Sequence, residues 1–278
     1  MRKISVFYGL IWEVANQCGC DFEEAMEKIK ACGINAAEMT MSPELAERAH
    51  EIKAMFDRRG FSASCFCTYI DLLHGESAAE QKYIETFETA AIFDCKTVLC
   101  VPGFFAPEDD REKLIPNLCQ GLEAMCEKAK EYGITVTIED YDGENSPCCT
   151  TKQVKTILDA VKDMRFTFDI GNFLYCEDDP EESFAILKDK IAHCHCKDRI
   201  ISKEPQGQTF SVSHKSLFGN QTYLTVAGEG EAKVKKIVSN LTENGYSGAF
   251  VLEHGGFEDQ LSCIKKSVEN IVGAIKNA

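Results

Sequence analysis

Apolar positions recur along the chain in two alternating rhythms. Short runs of period two, rich in β-branched and aromatic residues, give way to longer stretches in which apolar residues return every three or four positions. The first short run covers 3–8. Asp21 then stands as a cap before FEEAMEKIKACG, where Phe22, Ala25, Met26 and Ile29 share one helical face and Gly33 ends the pattern. A strand over 36–41, with Glu38 inside it, precedes a helix that opens at Pro43 and runs to Gly60. The third strand covers 62–70 and is followed by a helix over about 78–93 and a fourth strand over 97–101, which Pro102 and Gly103 end. The longest predicted helix, 109–133, carries Leu118, Leu122, Met125, Cys126 and Ala129 as one stripe. Strands over 135–139, 165–169, 191–196 and 249–253 then alternate with helices over 150–161, 180–188, 233–245 and 261–276.

Eight strand–helix units with no linker between them imply a parallel sheet of the α/β class. Eight units in 278 residues fit a closed (β/α)8 TIM barrel, one domain spanning 1–278, better than an open doubly wound sheet. The open-sheet nucleotide binders also lack their signatures here: no GxGxxG follows the first strand, and AGEGE at 227–231 has the wrong spacing and reads as a turn before a helix. One stretch breaks the rhythm. Residues 199–228 are far longer than the 2–6 residues of an ordinary strand-to-helix loop. Two readings stay open for it. It is a lid or partner-binding segment that brings His214 and Lys215 to the active-site face, or a hairpin of FSVSHKS and QTYLTV with no catalytic role.

Composition narrows the class. Apolar residues make up 44%, enough for a full core, and the net charge of −15 argues against nucleic acid and anionic membrane surfaces. The N-terminal MRKISVFYGLIW is charged and then apolar, but no small-residue cleavage pattern follows, so it reads as a first strand. No apolar run approaches the roughly 20 residues of a bilayer span. Many of the 15 cysteines (Cys95, Cys100, Cys119, Cys126, Cys194 and Cys196 among them) fall at positions that read as buried. They are expected as free thiols packing like small hydrophobes, in a reducing cytoplasm. Cys18-Gly-Cys20 and Cys148-Cys149 lack a second pair at finger-like spacing.

The chemistry is expected where strands end in acid. In IAHCHCKDR, 191–199, alternation puts His193 and His195 on one face and Cys194 and Cys196 on the other. Glu139, Asp169, His195 and Glu253 end or nearly end the last four strands. Each alone is an ordinary rim residue, turn cap or core histidine. Together, on strand ends about 5 Å apart, they can surround one ion. Three carboxylates and an imidazole suit one divalent metal ion, Mn or Zn first and Mg or Co as further options. The same parity places His193 one layer deeper and turns His254 away from the barrel axis.

The motifs TVTIED, FTFDIGN, IAHCHCKD and GAFVLEHGG resemble the metal-site motifs of the xylose-isomerase-like barrels, the sugar phosphate isomerase/epimerase superfamily. GEGEAKVKKIVSNLTENGYSG resembles that family's lead into its last helix–strand unit. The resemblance implies that Glu139, Asp169, His195 and Glu253 hold one divalent metal. Two positions depart from the family's ketose 3-epimerases. Asn172 stands where they have a histidine, and Ile201 where they have an arginine. The HxHxKD form, His193 to Asp198, is closer to the inosose-dehydratase-like branches. The family's AP endonucleases need extra histidines that this acidic chain lacks.

The expected activity is a metal-dependent sugar isomerase or epimerase, in which Glu139 or Glu253 moves a proton beside a ketone through an enediolate. A keto-sugar or keto-inositol dehydratase on the same residues is the alternative, and a non-catalytic sugar-binding subunit a third reading. Asn172, Lys197, Trp12, His74 and His193 are the substrate-binding candidates. The expected partner is a small sugar or sugar-derived molecule, with no nucleic acid and no membrane. A homo-oligomer stays open.

Overall fold

The short alternating runs become strands and the longer periodic stretches become helices in the computed structural model, which describes residues 3–202 and 213–278. In chain order the elements are β1 (Ile4–Phe7), α1 (Tyr8–Cys18), α2 (Phe22–Ala31), β2 (Ala36–Thr40), α3 (Pro43–Glu47), α4 (Ala49–Arg59), β3 (Ser62–Tyr69), α5 (Ala79–Ile92) and β4 (Thr97–Val101). Then follow α6 (Arg111–Tyr132), β5 (Thr135–Glu139), α7 (Thr151–Ala160), β6 (Arg165–Asp169), α8 (Pro180–Leu187), β7 (Ile191–Cys196) and β8 (Asp198–Ser202). The chain finishes with β9 (Ser213–Lys215), β10 (Gln221–Thr225), α9 (Val234–Glu243), β11 (Phe250–Leu252) and α10 (Gln260–Lys276).

Eight strands close into a barrel in the order β1-β11-β7-β6-β5-β4-β3-β2, and every neighbouring pair is parallel. This is the (β/α)8 TIM barrel that the alternation predicts. Local chemistry sets the helix starts. Asp21 accepts the Glu24 N–H at 2.8 Å at the head of α2, and Thr150 with Gln153 forms a reciprocal capping box at the head of α7. Apolar side chains on the outer strand faces and inner helix faces make one large core, which includes Phe66, Cys100, Ile138, Phe168, Cys194 and Cys196. A small separate cluster, Cys65, Cys67, Leu99 and Val101, lies on the other strand face, inside the barrel. Ten of the cysteines are buried and pack as hydrophobes, Cys18 is exposed, and all 15 are free. Among the described residues no helix is long and apolar enough to cross a membrane.

Three features differ from the sequence pattern. Helix α1 is not predicted, because YGLIWEVANQC follows β1 with no turn residue between them and its buried Leu10, Ile11, Val14 and Ala15 merge with the strand's apolar run. The single helix expected over 43–60 is two helices broken at Arg48, whose backbone leaves the helical region at φ −101° and ψ 9°. Its guanidinium then pairs with Glu44 at 3.1 Å and Glu51 at 2.9 Å, one on each side of the break. The long stretch after β7 forms a three-stranded antiparallel sheet in the order β8-β10-β9. The hairpin reading matches β9 and β10, although residues 203–212 lie outside the described residues. His214 and Lys215 are exposed on β9.

Two register shifts bear on the site. One falls between Ala37 and Glu38 where β2 pairs with β3, the other between Phe166 and Thr167 where β6 pairs with β7. Bulges of this kind re-aim the side chains beyond them.

Candidate metal centre

The rim of the barrel collects four polar side chains from four adjacent strands. Glu139 is the last residue of β5, Asp169 the last of β6, His195 lies in β7 and Glu253 follows β11 directly. One ligand-type atom from each lies within 4.8 Å of all the others. His195 Nδ1 sits 2.7 Å from Glu139 Oε1 and 2.9 Å from Glu253 Oε2. The Asp169, His195 and Glu139 side chains are buried, whereas Glu253 keeps 27% of its side chain exposed and faces the mouth.

The turn after β6 orients Asp169. Its Oδ1 accepts backbone N–H bonds from Gly171 at 2.8 Å and Asn172 at 3.0 Å, which leaves Oδ2 facing the cluster. Gly171 is required at this bend, because a Cβ there would stand 2.8 Å from the Lys197 carbonyl oxygen. Asp169 Oδ2 and Glu253 Oε2 are buried and face Lys197 at 3.0 Å and His195 Nδ1 at 2.9 Å respectively. Burial pushes the Asp169 carboxyl well above the usual carboxylate range, with Glu253 and Glu139 adding repulsion against the pull of Lys197. Burial also opposes the charge on Glu253, but Lys197 and His195 outweigh it and hold that carboxyl well below its ordinary value. Three carboxylates this close repel one another unless a cation joins them. Three carboxylates and one imidazole, with their ligand atoms converging on one point, together fit a divalent cation.

Lys197 closes one side of the cluster. Its ammonium lies 2.5 Å from Glu253 Oε1 and 3.0 Å from Asp169 Oδ2, and donates to Asn172 Oδ1 at 3.0 Å. Burial works against its charge, and the carboxylates around it outweigh that, so its pKa lies above the ordinary lysine value. Asn172 Oδ1 also accepts from Arg199 at 2.9 Å, and Arg199 pairs with Asp142. The two residues that depart from the epimerase pattern thus resolve differently. Asn172 is part of a buried polar chain that runs from Lys197 to Arg199 and Asp142, and Ile201 lies in β8. Asp198 anchors this end of the barrel. Its carboxylate accepts N–H bonds from Arg199 (2.9 Å), Gly228 (2.8 Å), Gly230 (2.9 Å) and Ala232 (3.1 Å). A side chain at Gly230 would collide with that carboxylate. The AGEGE turn is therefore a carboxylate clamp that leads into α9.

Three expected substrate contacts are placed elsewhere. His193 is 1% exposed, beneath His195, and its Nε2 bonds Glu38 at 2.8 Å, so it belongs to the layer under the rim and not to a substrate surface. His74 sits in the turn after β3 with both ring nitrogens taken, Nδ1 by Asp71 at 2.8 Å and Nε2 by Asp109 at 2.8 Å. Trp12 lies one turn into α1, where its ring packs on Phe22 of α2 and borders a groove with Arg48 and Met55 of the helical layer. Phe66 turns outward onto Phe93. His254 points outward too, with its ring nitrogens 2.9 Å from Gln260 and 3.0 Å from Ser267 of α10. The aromatic rings at the strand ends are others. Tyr69 and Phe104 stack with centroids 6.4 Å apart, Phe104 meets Tyr141 at 6.0 Å, and Phe7 meets the His195 ring at 5.2 Å. An exposed Tyr69 at a strand end was a readable signal; Phe104 and Tyr141 sit in loops whose path the pattern does not set.

Residues 26–271 match the family described as the xylose isomerase-like TIM barrel. The chain belongs to this family. Among xylose isomerase-like relatives, an inosose dehydratase of Lacticaseibacillus casei is 26% identical over 199 residues, which are 68% of this chain and 62% of that protein. An inosose dehydratase of Salmonella typhimurium is 25% identical over 190 residues, 67% of this chain and 59% of the relative. The matched part thus spans about three fifths of these curated relatives. A zinc-bound IOLI protein superposes with a TM-score of 0.75 at 16% identity, covering 99% of this chain and 98% of that one. The probable 3-DHS dehydratase AsbF of Bacillus anthracis gives 0.72 at 14% identity, over 96% and 97%. At those identities the two structures share the barrel fold with this chain.

Proposed function

We propose that the chain is a divalent-metal-dependent isomerase or epimerase of a small keto- or aldo-sugar, which works through an enediolate. One observation carries the reading: Glu139 and Glu253 flank Asp169 and His195 on the outer two of four consecutive strand ends, within 4.8 Å of one another. In this reading Glu139, Asp169, His195 and Glu253 hold the cation. A bound divalent cation would supply Lewis-acid stabilisation of negative charge developing on the substrate oxygens.

The residues themselves handle the proton. Glu253, the partly exposed member, removes the proton from the carbon beside the carbonyl, and Glu139, across the cluster, returns one. Lys197 keeps Glu253 ionised, and reaches a substrate oxygen by exchanging one of its three partners, Glu253, Asp169 or Asn172. Asn172 orients Lys197. The aromatic rings of Tyr69, Phe104 and Tyr141 offer an apolar wall to the C–H face of a sugar.

A second reading, dehydration of a keto-sugar or keto-inositol, is favoured by the inosose dehydratases among the curated relatives. It uses the same first step and then expels a hydroxyl from the next carbon. Incubating ketohexoses and keto-inositols with Mn-loaded protein in deuterated water separates the readings. Isomerisation or epimerisation changes the substrate's mass only by exchanged deuterium, whereas dehydration removes the mass of water. Binding of a sugar with no exchange into any substrate would leave a non-catalytic binder and sink both.

A further inference from the structure

Beneath the rim, Glu38 reaches across the barrel from β2 to β7. It is 0% exposed, and strand alternation turns it inward, since its neighbour Ala37 packs in the outer core. Its Oε2 is a shared acceptor, 2.8 Å from His193 Nε2 and 3.0 Å from His195 Nε2. The opposite nitrogen of His195, Nδ1, faces Glu139 and Glu253. A neutral imidazole carries one N–H, and a carboxylate can only accept. A proton held between His195 Nε2 and Glu38 therefore leaves Nδ1 with a free lone pair, on the side where the other three acids converge.

We propose that Glu38 is a positioning residue of the metal centre: it accepts the Nε2–H of His195 and so presents Nδ1 as the ligand atom. The inference rests on the reading that Glu139, Asp169, His195 and Glu253 bind a divalent cation. It assigns a role to the lone acid within the apolar β2. It also explains the HxH spacing of β7: His193 occupies the second acceptor position of Glu38 Oε2 and steadies that carboxylate from below. Support of this kind changes metal affinity by about 10- to 100-fold in metalloproteins.

The test titrates Co(II) into wild type, Glu38→Gln and His193→Gln, and records the cobalt visible spectrum and the imidazole 15N resonances of Zn(II)-loaded protein. The expected result is one cation per chain in wild type, bound at His195 Nδ1 with the proton on Nε2. Glu38→Gln should bind Co(II) about 10- to 100-fold more weakly with a shifted visible spectrum, and His193→Gln should stay within about threefold of wild type. Circular dichroism and thermal unfolding verify that each variant is folded. If Glu38→Gln fails to fold, the 15N assignment in wild type decides alone. Zinc on His195 Nε2, unchanged affinity in Glu38→Gln, or equal losses in both variants would overturn the role of Glu38 and leave the metal centre standing. A second cation in wild type, lost in Glu38→Gln, would instead place a metal at Glu38, Cys65 and His193 and overturn the positioning role. Wild type that takes up no Co(II) would overturn the metal reading itself.

Discussion

The two halves of the barrel rim are made by the same alternation and do opposite things. Strands β5, β6, β7 and β11 bring Glu139, Asp169, His195 and Glu253 together. Strands β1 to β4 end in Phe7, Thr40, Tyr69 and Val101, with no charge among them, and the inner face of β3 and β4 is the small apolar cluster of Cys65, Cys67, Leu99 and Val101. One half concentrates like charges that a cation would join. The other offers shape and aromatic surface. A sugar has the same division, a hydroxyl edge that a charged site can grip and a C–H face that an aromatic ring can cover. In the proposed reading the two tasks fall on different strands, joined where Glu38 of β2 meets His195 of β7.

The largest effect is expected on the acidic half. Glu139→Gln and Glu253→Gln should each lower deuterium exchange into substrate by at least about 100-fold, with melting temperatures close to wild type. Full exchange in either variant would break the assignment of proton transfer to this half. Gly171→Ala tests how tightly the half is built. A methyl against the Lys197 carbonyl should cost about 1–3 kcal/mol of stability, seen in a urea titration. It should also move Asn172 and Lys197 enough to reduce turnover.

On the apolar half the effects should be smaller and of another kind. Tyr69→Ala should raise KM by about 3- to 10-fold while kcat changes little, because a wall that binds substrate and transition state alike contributes to uniform binding. A loss confined to kcat would mean that this ring takes part in the reaction. The smallest effect belongs to the clasp of His74 with Asp71 and Asp109. The bonds from Asp109 and Asp71 raise the His74 pKa, and the bond from His74 lowers that of Asp109. The histidine's contribution is complete below its unfolded value of about 6.5 and is lost as pH rises through the higher folded value. That of Asp109 is present above its unfolded value of about 3.9 and is lost as pH falls through the lower folded one. Wild type should therefore exceed His74→Gln in melting temperature between those limits, by on the order of 1–3 °C, with the gap closing on either side. A gap independent of pH would show that the clasp is not ionic.

The same two halves differ in how far the sequence reveals them. The barrel strands were legible throughout, because period-two apolar runs bounded by caps and glycines have no other stable use. The four acidic-half residues were legible because each stands where an apolar strand stops. Lys197 and Asn172 followed from the motifs around them. The apolar half was harder. Trp12 and His74 were natural candidates for its contacts, but α1 starts without a turn and carries Trp12 into the helical layer, and two aspartates distant in sequence occupy His74. Tyr141 and Phe104 come together through tertiary packing of loops, which no local period records. Glu38 was visible as an acid inside an apolar strand, yet its partners lie 155 and 157 residues away across the barrel. Pairings at that range leave no trace in local spacing.

Asp198 gathers N–H groups from both ends of the excursion between β7 and α9, Arg199 on one side and Gly228, Gly230 and Ala232 on the other. One carboxylate thus pins the departure and the return of the excursion to the same point of the rim. Lys197, one residue before Asp198, thereby keeps its address beside Asp169 and Glu253, while Ser216 and Asn220 tie the excursion to Glu177.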